Sequence, residues 1–343
     1  MNSVKDLFQV EHFEDLVLMS QEVRGKLQEL GCFSKVGIHI DTSQTGVKDY
    51  VVTFNVEENK RIVGSVNTLV GNNEGSLMTG VKLLNVLGRG EKLQADYTYG
   101  TKKSSSFNIS FLKPFFGAFK SNVTGNIYQA VGEHPGSGYK ELDRGFLADL
   151  SFLSAPQVDV YRLTQEFAGL GGNIGFFKNE LEVQANIPLG EDISIQGCLN
   201  AGILKPTQGD KTLTISDNFF LGGPLNVRGF DLRGIGPHSD GNALGGTLFW
   251  ATGLHLYGPL PFRPGRGGFG DLFKTHMFMT AGNVGSFWLP GNMLLPFCTT
   301  GLGLAVKLGG IARIELNYCI PIKASRGDKV TPGLQFGVGV NFL

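Results

Sequence analysis

The sequence predicts an all-β fold, a transmembrane antiparallel β-barrel of about 14 strands preceded by a small α+β unit. Three observations predict it. From Arg61 onward apolar and polar residues alternate with a period of two over most of the chain. Charged residues make up only 17% of the 343, against about a quarter in typical soluble domains. Glycine (50) and phenylalanine (26) are abundant, yet no apolar run reaches the roughly 18 residues of a membrane helix. Low charge and high Phe without long apolar runs suit a sheet with one apolar and one polar face.

The elements follow in order. Residues 1–58 read as the α+β unit. Phe13, Leu16, Val17, Val23, Leu27 and Leu30 recur at helical spacing, and Gly31 takes the C-terminal capping position. Two strand-like runs follow, KVGIHID and YVVTFNVEE, the second with Val51, Thr53 and Asn55 opposite Val52, Phe54 and Val56. Residues 59–343 read as the barrel. Its strands are expected to begin near Arg61, Ser76, Glu91, Ser105, Asn122, Asp143, Val158, Ile174, Ile193, Gly246, Thr275, Thr300, Ile311 and Pro332.

Three of these segments show the two faces. In FKNELEVQANI, Lys178, Glu180, Glu182, Gln184 and Asn186 stand against Phe177, Leu181, Val183, Ala185 and Ile187. In IARIELNYCI, Arg313, Glu315 and Asn317 oppose Ala312, Ile314, Leu316, Tyr318 and Ile320. The last, QFGVGVNFL, sets Gln335, Gly337, Gly339 and Asn341 against Phe336, Val338, Val340 and Phe342. Strands of about 9–11 residues with these faces fit a bilayer crossing around a wet lumen. A soluble sandwich alternates too, but its polar face usually holds more charge. An even count puts both chain ends on one side. Between the strands near Ile193 and Gly246 lies a long glycine-rich loop, 205–245, with Val227-Arg228-Gly229-Phe230 at its tip.

Composition also excludes. Thirty basic against 30 acidic residues leave no nucleic-acid footprint. Cys32, Cys198, Cys298 and Cys319 lack CxxC spacing, and the six histidines lack metal spacing. No nucleophile–base–acid set stands out, so neither enzyme activity, metal nor cofactor is expected. PGRGGFGD joins strands instead of opening a helix, HPGSGYK lacks P-loop spacing, and Arg326-Gly327-Asp328 reads as a turn. The N-terminus has neither a basic-then-apolar secretory leader nor an Arg-rich transit composition, so a membrane address would be internal.

Four stretches carry a resemblance: VGNNEGSLMTGVKLLNVLGRGEK at 70–92, FFLGGPLNVRGF at 219–230, TGLHLYGPLPFRPGRGGFGDLF at 252–273 and IARIELNYCIPI at 311–322. With the α+β unit they resemble the outer-membrane assembly barrel superfamily, also called the bacterial surface antigen family. Its members place polypeptide-transport-associated (POTRA) domains ahead of a barrel of about 16 strands. Within it the chain looks most like the core barrels of the mitochondrial sorting and assembly machinery, in a shortened form. Two departures stand out. The 1–58 unit lacks the first strand of a complete POTRA fold, and only LSAPQ stands where relatives would carry about two more strands.

The resemblance implies roles. The loop with Val227, Arg228, Gly229 and Phe230 folds into the lumen, where a guanidinium needs partners. Glu180, Glu182 and Glu315 face that way. Residues Gln335, Gly337, Val340 and Phe342 match the terminal sorting signal of mitochondrial outer-membrane barrels. The first and last strands, with Arg61, Gly64, Gln335, Gly337, Gly339 and Phe342, form a seam that is either a plain glycine-rich joint or, as the resemblance favours, a gate for an incoming strand. The implied function is folding and insertion of β-barrel precursors, porin-like clients, into the mitochondrial outer membrane, with the N-terminus toward the intermembrane space. Implied partners are accessory sorting and assembly subunits, the lipid bilayer and an inner-membrane contact-site complex. A passive pore and a scaffold for contact-site complexes are the alternatives.

Overall fold

The computed structural model describes residues 7–8, 10, 12–42, 50–71, 74–101, 104–116, 120–134, 139–153, 159–169, 174–190, 192–207, 213–260, 272–286, 297–308, 312–325 and 327–339. Two compact units divide the chain, Met1–Phe152 and Leu153–Leu343.

The first unit opens with helix α1 (Phe13–Glu29) and the antiparallel pair β1 (Phe33–Thr42) and β2 (Tyr50–Glu58). The helix stops where the sequence places its cap: Gly31 takes φ +65°, open to glycine, and its N–H bonds the Gln28 carbonyl at 3.0 Å. Leu16 and Val23, one helical face, pack with Met19, Leu27, Ile40, Val52 and Phe54 into a small core. Six barrel strands follow: β3 (Ile62–Gly71), β4 (Glu74–Leu84), β5 (Lys92–Gly100), β6 (Ser105–Phe116), β7 (Lys120–His134) and β8 (Tyr139–Leu153).

The second unit holds β9 (Asp159–Ala168), β10 (Phe176–Pro188) and β11 (Ser194–Pro206). After the long loop, with its two-residue strands β12 (His238–Ser239) and β13 (Asn242–Ala243), come β14 (Leu248–Pro259), β15 (Phe273–Gly285), β16 (Phe297–Leu308), β17 (Ala312–Lys323) and β18 (Gly333–Gly339). Strands β3–β11 and β14–β18 make a 14-stranded antiparallel sheet in which each neighbour is the next long strand in sequence. This up-and-down order is that of an outer-membrane barrel. Each strand begins within four residues of its expected start.

The alternation has a physical sorting behind it. On β16–β18 the residues Leu302, Leu304, Leu316, Tyr318, Ile320, Phe336 and Val338 are exposed large apolar side chains, while Thr299, Glu315, Asn317 and Cys319 on the other face are buried. Water would not tolerate so continuous an apolar face, but lipid does. The polar face is buried because the loop covers it.

In the first unit the turn between β4 and β5 is built around Glu91, whose Oε2 accepts the Arg89 N–H at 2.9 Å. Gly90, at φ +87°, brings this turn against Leu30 at the end of α1. Burial raises the Glu91 pKa, but the N–H groups of Glu91, Arg89 and Leu87 and the nearby Lys113 charge outweigh it and hold the carboxyl below its ordinary 4.5. A depressed folded-state pKa stabilises above the unfolded value and is lost as pH falls through the folded one. Unfolding of wild type and Glu91→Gln followed against pH should therefore differ most at neutral pH and converge below about 4.5. Curves separated equally at all pH values would refute this role.

Candidate functional site: the loop tip on the polar face

The long loop folds back so that Val227, Arg228 and Phe230 are 0% exposed. Phe230 packs edge-on against Phe297 with centroids 5.3 Å apart, in a core with Phe219, Leu221, Ile235 and Val284. These apolar side chains anchor the loop by burial. They also bring Arg228 to the inner faces of β15 and β17.

There Arg228 Nη2 and Nε donate to Glu315 Oε2 at 2.7 and 3.0 Å, and the guanidinium lies 5.1 Å from the Phe278 ring centroid. Glu315, also 0% exposed at its side chain, is enclosed by further donors. Asn317 Nδ2 donates to Oε2 at 2.9 Å, and Arg313 Nε lies 3.0 Å from Oε1. Isolated buried charges cost several kcal/mol each, so this density of partners is what makes the pair tenable.

The network continues. Because Asn317 spends its amide N–H on Glu315, its Oδ1 is left to accept from His276 Nδ1 at 3.0 Å. His276 Nε2 and His255 Nδ1 then share a hydrogen bond at 2.9 Å, in which a neutral His276 is the acceptor. Small residues make the room: Gly337 stands opposite Glu315 on β18, and a methyl group at Gly303 would collide with Asn317.

Gln335 clamps the loop backbone, its Oε1 accepting the Gly229 N–H and its Nε2 donating to the Phe230 carbonyl, both at 2.9 Å. Gly229 sits at φ +82°, and a Cβ there would lie 2.7 Å from Thr299 Oγ1 and 3.3 Å from Cys319 Cβ. The loop is stitched onward by Thr331 N–H to Gly229 O, Asp231 N–H to Lys329 O and Gly236 N–H to Asp328 Oδ1.

Of the three acidic residues that face the polar side, Glu315 is the one beside Arg228. Glu180 lies 3.2 Å from Lys178 instead. Glu182 is on β10 opposite Arg162 and Asn200. At the expected seam, Arg61 is exposed near Glu58 at 3.9 Å, Gly64 pairs with Val81, and Gly337 and Gly339 pair with Glu315 and Arg313. Val340 and Phe342 lie outside the described residues. His255, His276 and Thr299 are site residues that linear spacing does not find, because cross-strand register alone brings them together. Their one sequence signal is a polar residue on the inward phase of an alternating strand.

Removing Arg228 leaves Glu315 with Arg313 and Asn317, whereas removing Glu315 leaves two guanidinium groups facing each other. Glu315→Gln should thus loosen the loop more than Arg228→Ala, each by about 3–5 kcal/mol at most. Hydrogen exchange across residues 219–246 reads this directly, and equal protection in all three proteins would refute it. Gly229→Ala should cost roughly 1–3 kcal/mol through its left-handed backbone and the Thr299 contact. Adding Thr299→Ala should restore the contact share alone, measured by the same exchange. No recovery would assign the whole cost to the backbone.

Three comparisons with known proteins bear on the family. A model described as the Omp85 superfamily domain matches residues 85–161 and 157–342. The chain is 39% identical to the sorting and assembly machinery component 50 homolog of Bos taurus, covering 100% of this chain and 87% of that protein. It is 38% identical to the Homo sapiens homolog, over 99% of this chain and 86% of the other. Both alignments, over 408 and 405 residues, are longer than the chain, so these relatives carry residues opposite gaps in it. In fold, it is similar to BamA from Haemophilus ducreyi lacking POTRA domains 1-3, at TM-score 0.57 and 15% identity, over 94% of this chain and 78% of that one. CdiB from Escherichia coli matches at TM-score 0.52 and 12% identity, over 93% and 70%. With a family model across most of its length and full-length relatives well above 30% identity, the chain belongs to the Omp85 superfamily, on the branch of the sorting and assembly machinery component 50 homologues.

Proposed function

We propose that this outer-membrane barrel folds and inserts β-barrel precursors into the mitochondrial outer membrane, as a core subunit of the sorting and assembly machinery. Residues 1–58 are a partial POTRA-like unit facing the intermembrane space, and residues 59–343 are the barrel, with loop 205–245 in its lumen. Its clients are porin-like precursors, and accessory subunits and an inner-membrane contact-site complex are its further partners. No chemical reaction or cofactor is needed, since client burial and hydrogen bonding drive insertion.

The observation that carries the reading is the loop locked across the polar face through Arg228 and Glu315. A passive pore would leave that face to water and solute. The second support is the last strand. Three of the seven described residues of β18, Gly333, Gly337 and Gly339, are glycine. They add no side-chain contacts of their own to hold the strand. A seam between β3 and β18 would expose N–H and C=O groups on opening, and a client strand would satisfy them by β-augmentation. In hydrocarbon, where an open edge is intolerable, that exchange lets a sheet grow without ever leaving its backbone groups unpaired.

The test replaces the endogenous assembly barrel with this chain in isolated mitochondria and follows insertion of a labelled porin precursor. Alkaline extraction checks that the chain itself is integrated. Restored insertion, reduced about tenfold or more by Arg228→Ala as loss of a buried charge partner predicts, is the expected result. An integrated chain that restores nothing would sink the proposal and leave the pore or scaffold reading.

A further inference from the structure

Beside the loop lock, toward the strand ends where β10 finishes and β11 begins, the polar face opens into a cavity of about 170 Å³ lined by Asn186, Ser194, Gln196, Tyr257, Lys274 and Arg313. One water needs about 10–15 Å³ and takes about 30 Å³ in the liquid, so the cavity has room for several, enough for a small polyatomic ion. Three of its residues form the layer next to the lock. Tyr257, Lys274 and Arg313 each stand two positions along their strands from His255, His276 and Glu315, and so share their inward face.

Charge and donors in this cavity point one way. Arg313, on the cavity wall, stands beside Glu315, whose carboxylate also pairs with Arg228. Lys274 adds a second cation on the wall, with no carboxylate partner among the described residues. The Arg313 Nη1 donates to Tyr257 Oη at 3.0 Å, so the phenol proton remains to be donated elsewhere. Ser194 and the amides of Asn186 and Gln196 bring further N–H and O–H groups, and among the described residues no acidic side chain lines the wall. Cationic groups gathered with neutral donors in a partly desolvated concavity recognise an oxyanion by charge-assisted hydrogen bonds.

We propose that this cavity is a binding site for one small oxyanion, a carboxylate or a phosphate, held between Lys274 and Arg313 with Tyr257 as a neutral donor. The site stands apart from the insertion reading: it requires only the luminal layer and holds whether or not the chain inserts clients.

The test uses the full chain purified in detergent and titrated calorimetrically with inorganic phosphate or with succinate at constant ionic strength, chloride serving as the blank. Saturable binding of one anion per chain is expected, weakened about tenfold or more in Lys274→Met, which keeps the stem and removes the charge-assisted bond. Ala305→Leu, which fills the cavity from the part of its wall made by Ala305 and Leu272 and leaves every charge in place, should abolish it. A shift in migration between unheated and heated samples on a denaturing gel checks that each variant is folded. Binding of phosphate alone would identify a phosphate site, of succinate alone a carboxylate site, and of both a general oxyanion site. Absence of saturable binding of either anion to the wild type would overturn the proposal. Binding to a folded Lys274→Met or Ala305→Leu chain as tight as to the wild type would overturn it as well.

Discussion

Everything in the second unit is arranged around one buried ion pair. Arg228 reaches Glu315 from a loop position 87 residues earlier in sequence, and neither side chain keeps contact with water. Burying two charges is unfavourable unless nearly every donor and acceptor is matched. The surrounding residues supply much of that matching: Asn317 hydrogen-bonds the carboxylate, Arg313 stands beside it as a second cation, the Phe278 ring lies by the guanidinium, and Gly337 and Gly303 leave the space in which the network fits. Once the pair is formed, the loop has one seat. The apolar tip residues Val227 and Phe230 and the Gln335 clamp then hold it there.

The same alternating strands serve two solvents. Outward residues such as Leu316, Tyr318 and Phe336 present an apolar surface to lipid, while the intervening Glu315, Asn317 and Gln335 build the polar interior. A one-residue slip of register would exchange these sets, placing a carboxylate in hydrocarbon. The strength of that penalty explains why strand positions are so legible in this chain. It also explains the contrast between β17, paired on both sides, and β18, which contributes glycine where a contact would otherwise hold the edge.

Much of the site could be read without coordinates. The loop tip 227–230, the inward phase of Glu315 and the capping role of Gly31 all follow from local pattern, because alternation and positive φ are local properties. What local pattern leaves open is choice among equivalents. Glu180, Glu182 and Glu315 share an inward phase, and only the packing of Phe230 against Phe297 carries the guanidinium to Glu315 while Lys178 stands beside Glu180. His255 and His276 are 21 residues apart, at no recognisable spacing, yet the β14–β15 register sets their rings in a hydrogen bond.

The sequence by itself determined the strand set, the two faces, the helix with its glycine stop and the exceptional loop, since each depends on residue type at fixed short spacing. The tertiary structure alone decided which carboxylate receives Arg228, that Gln335 grips the loop backbone, and that Lys274, Arg313 and Tyr257 converge on one cavity. These depend on cross-strand register and on the path of a long loop. Both are set by summed burial and charge matching over residues far apart in sequence, which no short window of the chain contains.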